Sequence, residues 1–226
     1  MIRYGCVPYL NAVPLIEGLQ PRLAPPRELA GMHHSGELDV SLLPVVELFD
    51  HPELTHVPDI AIASRGAADS VRLFLKVPLE RVRTVGLDPH SRTTNALVRV
   101  LFARKYRRAV TFADDGDAVV TIGDRTFGMT GESLDLGQEW FDLTGKPFVF
   151  AVWMHRKGHA QASEIHRRLT EAKRAGLQRL DSIAAEEAPR RGLSIERARD
   201  YLTRKIRYTL GAEELEGMEL FRQWRV

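Results

Sequence analysis

Cysteine is nearly absent: one residue, Cys6, in 226. A single thiol excludes an internal disulfide framework. Long apolar runs are missing too. No stretch approaches the ~20 apolar residues that a membrane-spanning helix needs. Neither sign of charge is in excess, with 32 Lys and Arg against 30 Asp and Glu and a net charge of +2. That balance argues against nucleic acid or a membrane as the main partner. The N-terminal Met-Ile-Arg-Tyr-Gly-Cys-Val-Pro has one basic residue, no apolar core and no small-residue cleavage site. It does not read as a secretory signal, and a cytoplasmic protein is the expectation. G-x-G-x-x-G, G-x-x-x-x-G-K-[ST] and G-x-S-x-G do not occur, which disfavours a nucleotide enzyme or an ordinary serine hydrolase. The eight histidines lack metal-ligand spacing. His155 and His159 flank a glycine, and His33 and His34 are adjacent, so structural or exposed histidines are expected rather than ligands. Asp114, Asp115 and Asp117 read as a solvated turn.

What is present is an ordinary globular composition, 44% hydrophobic and 27% charged. The length accommodates two lobes of ~100 residues each. Short apolar strands alternate with helix-like segments through the first part: strands over 2–7, 38–43 and 57–63, and helices over 13–19 and 27–32. This rhythm predicts a mostly parallel sheet covered by helices. Residues 70–77 alternate apolar and polar, the signature of a strand with one wetter face. A second unit follows, with a strand over 84–87, a helix over 92–106 capped by Ser91, and strands over 110–112 and 118–122. Residues 147–153 form a continuous apolar run, suited to a strand buried on both faces. From Gln161 onward the chain is charged, helix-rich and free of strands. Arg99, Arg104, Lys105, Arg107 and Arg108 cluster on one helix and read as its solvated face and end. The expected architecture is α/β and two-lobed. Residues 1–77 and 151–226 form the first lobe, with the helical tail packed on it, and 78–150 form the second. Two crossings make a hinge, and the cleft between lobes suits a small ligand.

Four loop segments lie at strand ends, where α/β sheets place ligands. In Tyr9-Leu10-Asn11-Ala12-Val13-Pro14, Asn11 either caps a helix or offers its amide to a ligand. Ala63-Ser64-Arg65-Gly66-Ala67-Ala68-Asp69-Ser70-Val71 is either a hairpin connection or a small-residue loop open to a ligand. Asp88-Pro89-His90-Ser91-Arg92-Thr93-Thr94-Asn95 crowds hydroxyls at a helix start, where free N–H groups and the dipole favour an anion. Plain capping by Ser91 is the alternative. Thr121-Ile122-Gly123-Asp124 either lines the cleft or is a turn.

In order, Gly5 to Leu15, Gly36 to Val40 with Leu43 to Glu47, Ile62 to Gly66 with Ser70 to Leu73, Ser91 to Thr94, Ile122 to Asp124, and Thr144 to Trp153 resemble one family. It is chorismate dehydratase of the futalosine route to menaquinone. The resemblance runs through residues 2–153 and continues more loosely through Tyr201 to Phe221. Ala67-Ala68-Asp69 and Arg125-Thr126 depart from the family's pattern. The resemblance implies a type II periplasmic-binding-protein-like fold with a helical C-terminal region. It implies chorismate, a small dicarboxylate, as substrate and 3-[(1-carboxyvinyl)oxy]benzoate as product, with no metal and no organic cofactor. It implies Asn11 as the catalytic residue, with Gly66, Ser70, Ser91, Thr93, Thr94 and Asp124 binding substrate. The expected chemistry is loss of water driven by aromatisation. Asn11 orients the substrate, and the substrate's own enolpyruvyl carboxylate takes the proton, because neither the Tyr9–Pro14 nor the Ser91–Asn95 segment holds an Asp, Glu, His or Lys. Two alternatives remain: a non-catalytic binding protein on the same fold, which the lack of a signal-like start argues against, and dihydroxynaphthoate synthase of the same pathway, kept open by His90 and opposed by Phe148 to Trp153; a regulatory effector domain is disfavoured because the charged tail lacks a helix-turn-helix.

Overall fold

A computed structural model describes residues 1–225. Along the chain come β1 (Tyr4–Cys6), a 3₁₀ turn (Leu10–Leu15), β2 (Arg22–Leu23), α1 (Pro26–His34), β3 (Val40–Pro44), α2 (Val45–Asp50) and β4 (Leu54–Ser64). Next are β5 (Val71–Leu75), β6 (Thr84–Gly86), α3 (Arg92–Arg104), β7 (Thr111–Ala113), β8 (Ala118–Ile122), β9 (Ser133–Asp135) and α4 (Leu136–Thr144). The chain closes with β10 (Phe148–Arg156), α5 (Ala162–Gln178), α6 (Leu180–Glu187), α7 (Ile195–Asp200) and α8 (Ala212–Trp224).

Two sheets result, ordered β2-β1-β3-β10-β4 and β7-β6-β8-β5-β9. Both are mixed rather than mostly parallel. β10 runs antiparallel to β3 and β4, and β5 runs antiparallel to β8 and β9. β10 is the return strand: its apolar run is buried because it lies between two neighbours in the first sheet.

The expected lobe boundaries shift accordingly. Val71–Leu75 pairs along its whole length with Ile122–Ala118 of the second sheet. The chain therefore crosses between Ser64 and Val71, not near Val77, and returns between Thr144 and Phe148. Alternation identifies a strand, but it carries no information about which sheet receives it. The expected helix over 13–19 is instead a 3₁₀ turn over Leu10–Leu15. Pro14 inside it supplies no N–H to an α-helical ladder.

α3 begins as expected, with Ser91 accepting the Thr94 N–H at its N-terminus. α4, not anticipated from the sequence, is capped by Asp135, which accepts from Gly137 and Gln138. The tail packs on both lobes, not on the first alone. Ile165, Leu169 and Ala172 bury one face of α5, and α5 lies against β4 and the Leu10–Leu15 turn. Arg197 donates to the Phe127 carbonyl in the second lobe at 3.1 Å. Trp140 of α4 meets Phe148, Phe221 and Trp224 edge-on, with ring centroids 5.3–5.8 Å apart, beside the return crossing.

Four residues of the basic cluster at the end of α3 and just beyond it are engaged within the protein. Arg99 stacks over Phe112 and Arg104 over Trp224, while Lys105 pairs with Glu139 and Asp142. Arg108 donates to the carbonyls of Leu79 and Val82. No described helix is long and apolar enough to cross a membrane.

Candidate active site

A cavity of about 610 Å³, counting the space open to solvent at its mouth, lies between the two sheets. The first lobe gives it the start of the Leu10–Leu15 turn, the end of β3 and the middle of β10. The second gives it the start of β5, the start of α3 and the end of β8. Its walls are largely apolar, with Val7, Leu42, Ile62, Ile122 and Phe150 among them. The polar groups are few and convergent, the arrangement that fixes the orientation of a small ligand.

Asn11 is one of them. Leu10, Ala12, Pro14 and Leu15 of its turn are buried in the first lobe. That burial leaves Asn11 at the cleft. The turn starts after Tyr9 and has no side-chain cap, so the capping role considered for Asn11 is not the one it plays. Its Oδ1 is buried and has no hydrogen-bond partner among the described residues. Ser70 lines the opposite wall and is 2% exposed. Its Oγ accepts from the Tyr201 hydroxyl at 2.8 Å.

At the start of α3 the three hydroxyls divide the work. Ser91 accepts the Thr94 N–H at 3.2 Å and donates to Thr94 Oγ1 at 2.7 Å. These two satisfy one another and shape the helix start. Thr93 Oγ1 is buried with no partner among the described residues, so Thr93 is the hydroxyl open to a ligand. His90 also lines the cavity, and its Nδ1 is buried and unpartnered. The loop that carries it is braced by Asp88, whose carboxylate accepts from the backbone N–H groups of His90 at 2.9 Å and Ile122 at 3.3 Å. Arg125 pairs with the same carboxylate.

Two residues expected to bind substrate lie off the cavity lining. Asp124 accepts the Leu10 N–H at 3.0 Å and pairs with Arg191 Nε at 2.7 Å. It therefore ties the end of β8 to the first lobe and to the tail. Gly66 sits in the crossing segment with φ +96, a conformation that favours glycine, and its carbonyl accepts from Ser64 Oγ at 2.9 Å. Gly123, by contrast, does line the cavity. It has φ +69, and a Cβ there would stand 2.9 Å from the Tyr9 ring. A bare backbone lets Tyr9 cover the end of β8. Burial raises the pKa of the Tyr9 phenol.

Among the described residues, no carboxylate, ammonium or guanidinium side chain lines this cavity. An anion bound here meets neutral donors and the positive end of α3. The cations stand outside, in an adjoining depression that shares Pro26, Pro44 and His90 with the cavity and adds Arg27, Glu47 and Arg92. There Arg92 of α3 reaches across the cleft to Glu47, which is 1% exposed, and to Asp50 at 2.7 Å. Among the described residues, the cluster best suited to a metal ion is His34, His51 and Glu53. It adjoins Glu47 on the first lobe and contributes nothing to the cavity wall.

Sequence reasoning missed Tyr201, Phe150 and Ile206 as site residues. Tyr201 and Ile206 belong to the tail, which has no strand-end signal. Phe150 lies mid-strand, and only the bend of β10, irregular between Val149 and Ala151, turns it to the cleft.

The family described as "Menaquinone biosynthesis" matches residues 2–225. A chorismate dehydratase of Thermus thermophilus is 31% identical over 96% of this chain and 92% of its own length. Another, from Campylobacter jejuni, is 27% identical over 65% of this chain and 60% of its own. Among solved structures, a protein from Archaeoglobus fulgidus superposes with a TM-score of 0.77 at 13% identity, over 99% of this chain and 96% of that one. The periplasmic aliphatic sulphonate binding protein of Escherichia coli does so with a TM-score of 0.62 at 14% identity, over 98% and 85%. At such identities the likeness concerns the fold: two α/β lobes of the periplasmic-binding-protein type around a cleft.

Proposed function

The chain belongs to the menaquinone biosynthesis family, and from that membership we propose that it is a chorismate dehydratase, a hydro-lyase that turns chorismate into 3-[(1-carboxyvinyl)oxy]benzoate and water. One observation at the site carries the reading: Asn11 Oδ1 and Thr93 Oγ1 are buried, unpartnered and set in the same apolar cleft. A buried polar atom without a partner is costly unless a ligand supplies one. Here the ligand needs a donor for Asn11 and an acceptor for Thr93. Chorismate has both, in its ring hydroxyl and its carboxylates.

The reaction breaks the ring C–O bond to the hydroxyl and a neighbouring C–H bond. A new ring double bond forms, the ring becomes aromatic, and hydroxyl and proton leave as water. The gain of aromaticity lowers the demand on the protein for a strong base. Asn11 holds the substrate in register. Thr93, Ser70 and the α3 start receive carboxylate oxygens and stabilise charge that builds up in the transition state. The enolpyruvyl carboxylate of the substrate takes the proton. Among the described residues the lining offers no side-chain carboxylate or amine for the purpose, and His90 is an imidazole base on the same wall. Ser91 and Thr94 shape the anion-binding helix start, while Gly66 and Asp124 act by holding the lobes. The same reading places the reaction in the cytoplasm.

Incubation with chorismate, followed by ultraviolet detection of an aromatic product, tests the proposal. Wild type is expected to give product, and Asn11→Ala to lose about 10²-fold in kcat. Tight binding of chorismate with no aromatic product from wild type would make the protein a binder instead. His90 favours a second reading, dihydroxynaphthoate synthase, because its unpartnered Nδ1 faces the same cavity. On the dehydratase reading His90→Gln keeps kcat within about threefold. A fall of ~10²–10⁴-fold, the usual contribution of a general base, would move the assignment to that enzyme.

A further inference from the structure

Two histidines far apart in the sequence meet on the first lobe. His34 closes α1, and His51 follows α2 directly. Their rings lie 4.1 Å apart, centroid to centroid, tilted by 38°. Both turn a nitrogen to one oxygen of the buried Glu47 carboxylate. His34 Nε2 donates to Oε2 at 3.0 Å, and His51 Nε2 stands 3.5 Å from the same atom. The other oxygen, Oε1, is taken by Arg92 from across the cleft. A carboxylate only accepts, so each ring carries its proton at Nε2, and Nδ1 is left with the free lone pair. In His51 that Nδ1 faces Glu53 Oε1 at 3.2 Å. Two acceptors at this distance need a cation between them, either a proton or a metal ion.

We propose that His34, His51 and Glu53 form a Zn²⁺ site, with Glu47 as the carboxylate that orients both imidazoles. The ligand atoms of the three lie within 4.8 Å of one another. Tetrahedral bonds of ~2.0–2.2 Å put ligand atoms about 3.3–3.6 Å apart, so small side-chain rotations close the set. Two imidazoles and a carboxylate are donors that suit Zn²⁺, with water in the fourth position. A carboxylate on the far nitrogen of a ligating histidine fixes its tautomer and raises its basicity. Glu47 stands in that position for both rings, and Arg92 holds it there. His34 and His51 are half-buried and Glu53 is exposed, which leaves the ion a path from solvent. Bound there, Zn²⁺ ties the end of α1 to the connection between α2 and β4. The site stands off the cavity wall and is independent of the reaction assigned to the cleft.

Equilibrium dialysis of the chelator-treated, tag-free chain against Zn²⁺ tests this, with Co²⁺ as a coloured substitute. About one Zn²⁺ per chain is expected. Zn²⁺ should raise the temperature of unfolding, as any ligand of the folded state does. Co²⁺ should give the strong visible bands of a four-coordinate site. His34→Ala, His51→Ala and Glu53→Ala should each weaken Zn²⁺ binding ~100-fold or more through loss of a ligand. Glu47→Gln should keep the stoichiometry and weaken binding ~10- to 100-fold, the usual effect of losing an orienting partner. Glu53 is exposed, so Glu53→Ala decides the matter if a histidine variant does not fold. No uptake of Zn²⁺ by wild type would mean that a proton joins His51 to Glu53, and would overturn the site. Wild-type affinity in a folded Glu53→Ala, or in His34→Ala combined with His51→Ala, would place the ion elsewhere and overturn it as well.

Discussion

His33 shows how burial of a single side chain writes itself into the behaviour of the protein. It is 1% exposed, its Nδ1 shares a hydrogen bond with Ser41 Oγ at 3.2 Å, and its Nε2 has no partner. Desolvation, helped by the nearby His34, Arg156 and His155, lowers its pKa to about 4. The folded state therefore holds the neutral ring. The unfolded chain takes up the proton near the usual histidine value of ~6.5. The contribution to stability is complete above that value and is lost as pH falls toward about 4, at up to ~1.4 kcal/mol per pH unit. Urea unfolding across this range should show the stability advantage of wild type over His33→Asn shrinking as the pH is lowered. A gap independent of pH would contradict the burial argument. Thr93 makes the complementary case inside the cleft. Thr93→Val removes a hydroxyl that has no protein partner, so thermal unfolding should stay close to wild type while KM for chorismate rises about tenfold. A folded, fully active variant would remove Thr93 from the site.

At the scale of elements, α3 and β8 place the second lobe's side of the cleft, and both depend on local backbone chemistry. Ser91 closes the first turn of α3 through Thr94. Ser91→Ala should cost about 1 kcal/mol of stability, a common value for a lost N-cap, and should raise KM because Thr94 loses its partner. Gly123 ends β8 in a left-handed conformation under the Tyr9 ring. Gly123→Ala should cost about 1–3 kcal/mol from strain and should also displace Tyr9. Chemical denaturation measures both, and a neutral Gly123→Ala would mean that the segment relaxes freely. These two elements were legible beforehand, since Ser91 before an apolar period of 3.6 and Gly123-Asp124 after an apolar strand are local signals. α4 was not anticipated. Its cap, Asp135, also accepts from the Ala68 and Asp69 N–H groups of the crossing segment, a long-range partnership that local pattern does not contain.

For the whole molecule, the lobes are joined by more than two crossings of the chain. Arg92 pairs with Glu47 and Asp50 on one side of the cleft, and Asp124 joins Leu10 and Arg191 on the other. Both ties hold the lobes together beside the cavity, and we expect them to loosen and re-form as a ligand comes and goes. Small-angle scattering should show a smaller radius of gyration with ligand than without, and Asp124→Asn should enlarge the ligand-free form. Superimposable profiles would mean that the lobes do not move. The sequence by itself determined the alternation of elements, the α/β class and the family. Those depend on neighbours along the chain: periodicity, caps, and motifs in order. Only the tertiary structure decided that 71–75 joins the second sheet, that Asp124 braces the lobes instead of lining the cavity, and that Tyr201 from the tail meets Ser70. Each of these is a contact between segments far apart in the chain, set by how packed surfaces and buried polar groups find partners, and no local pattern encodes such a choice.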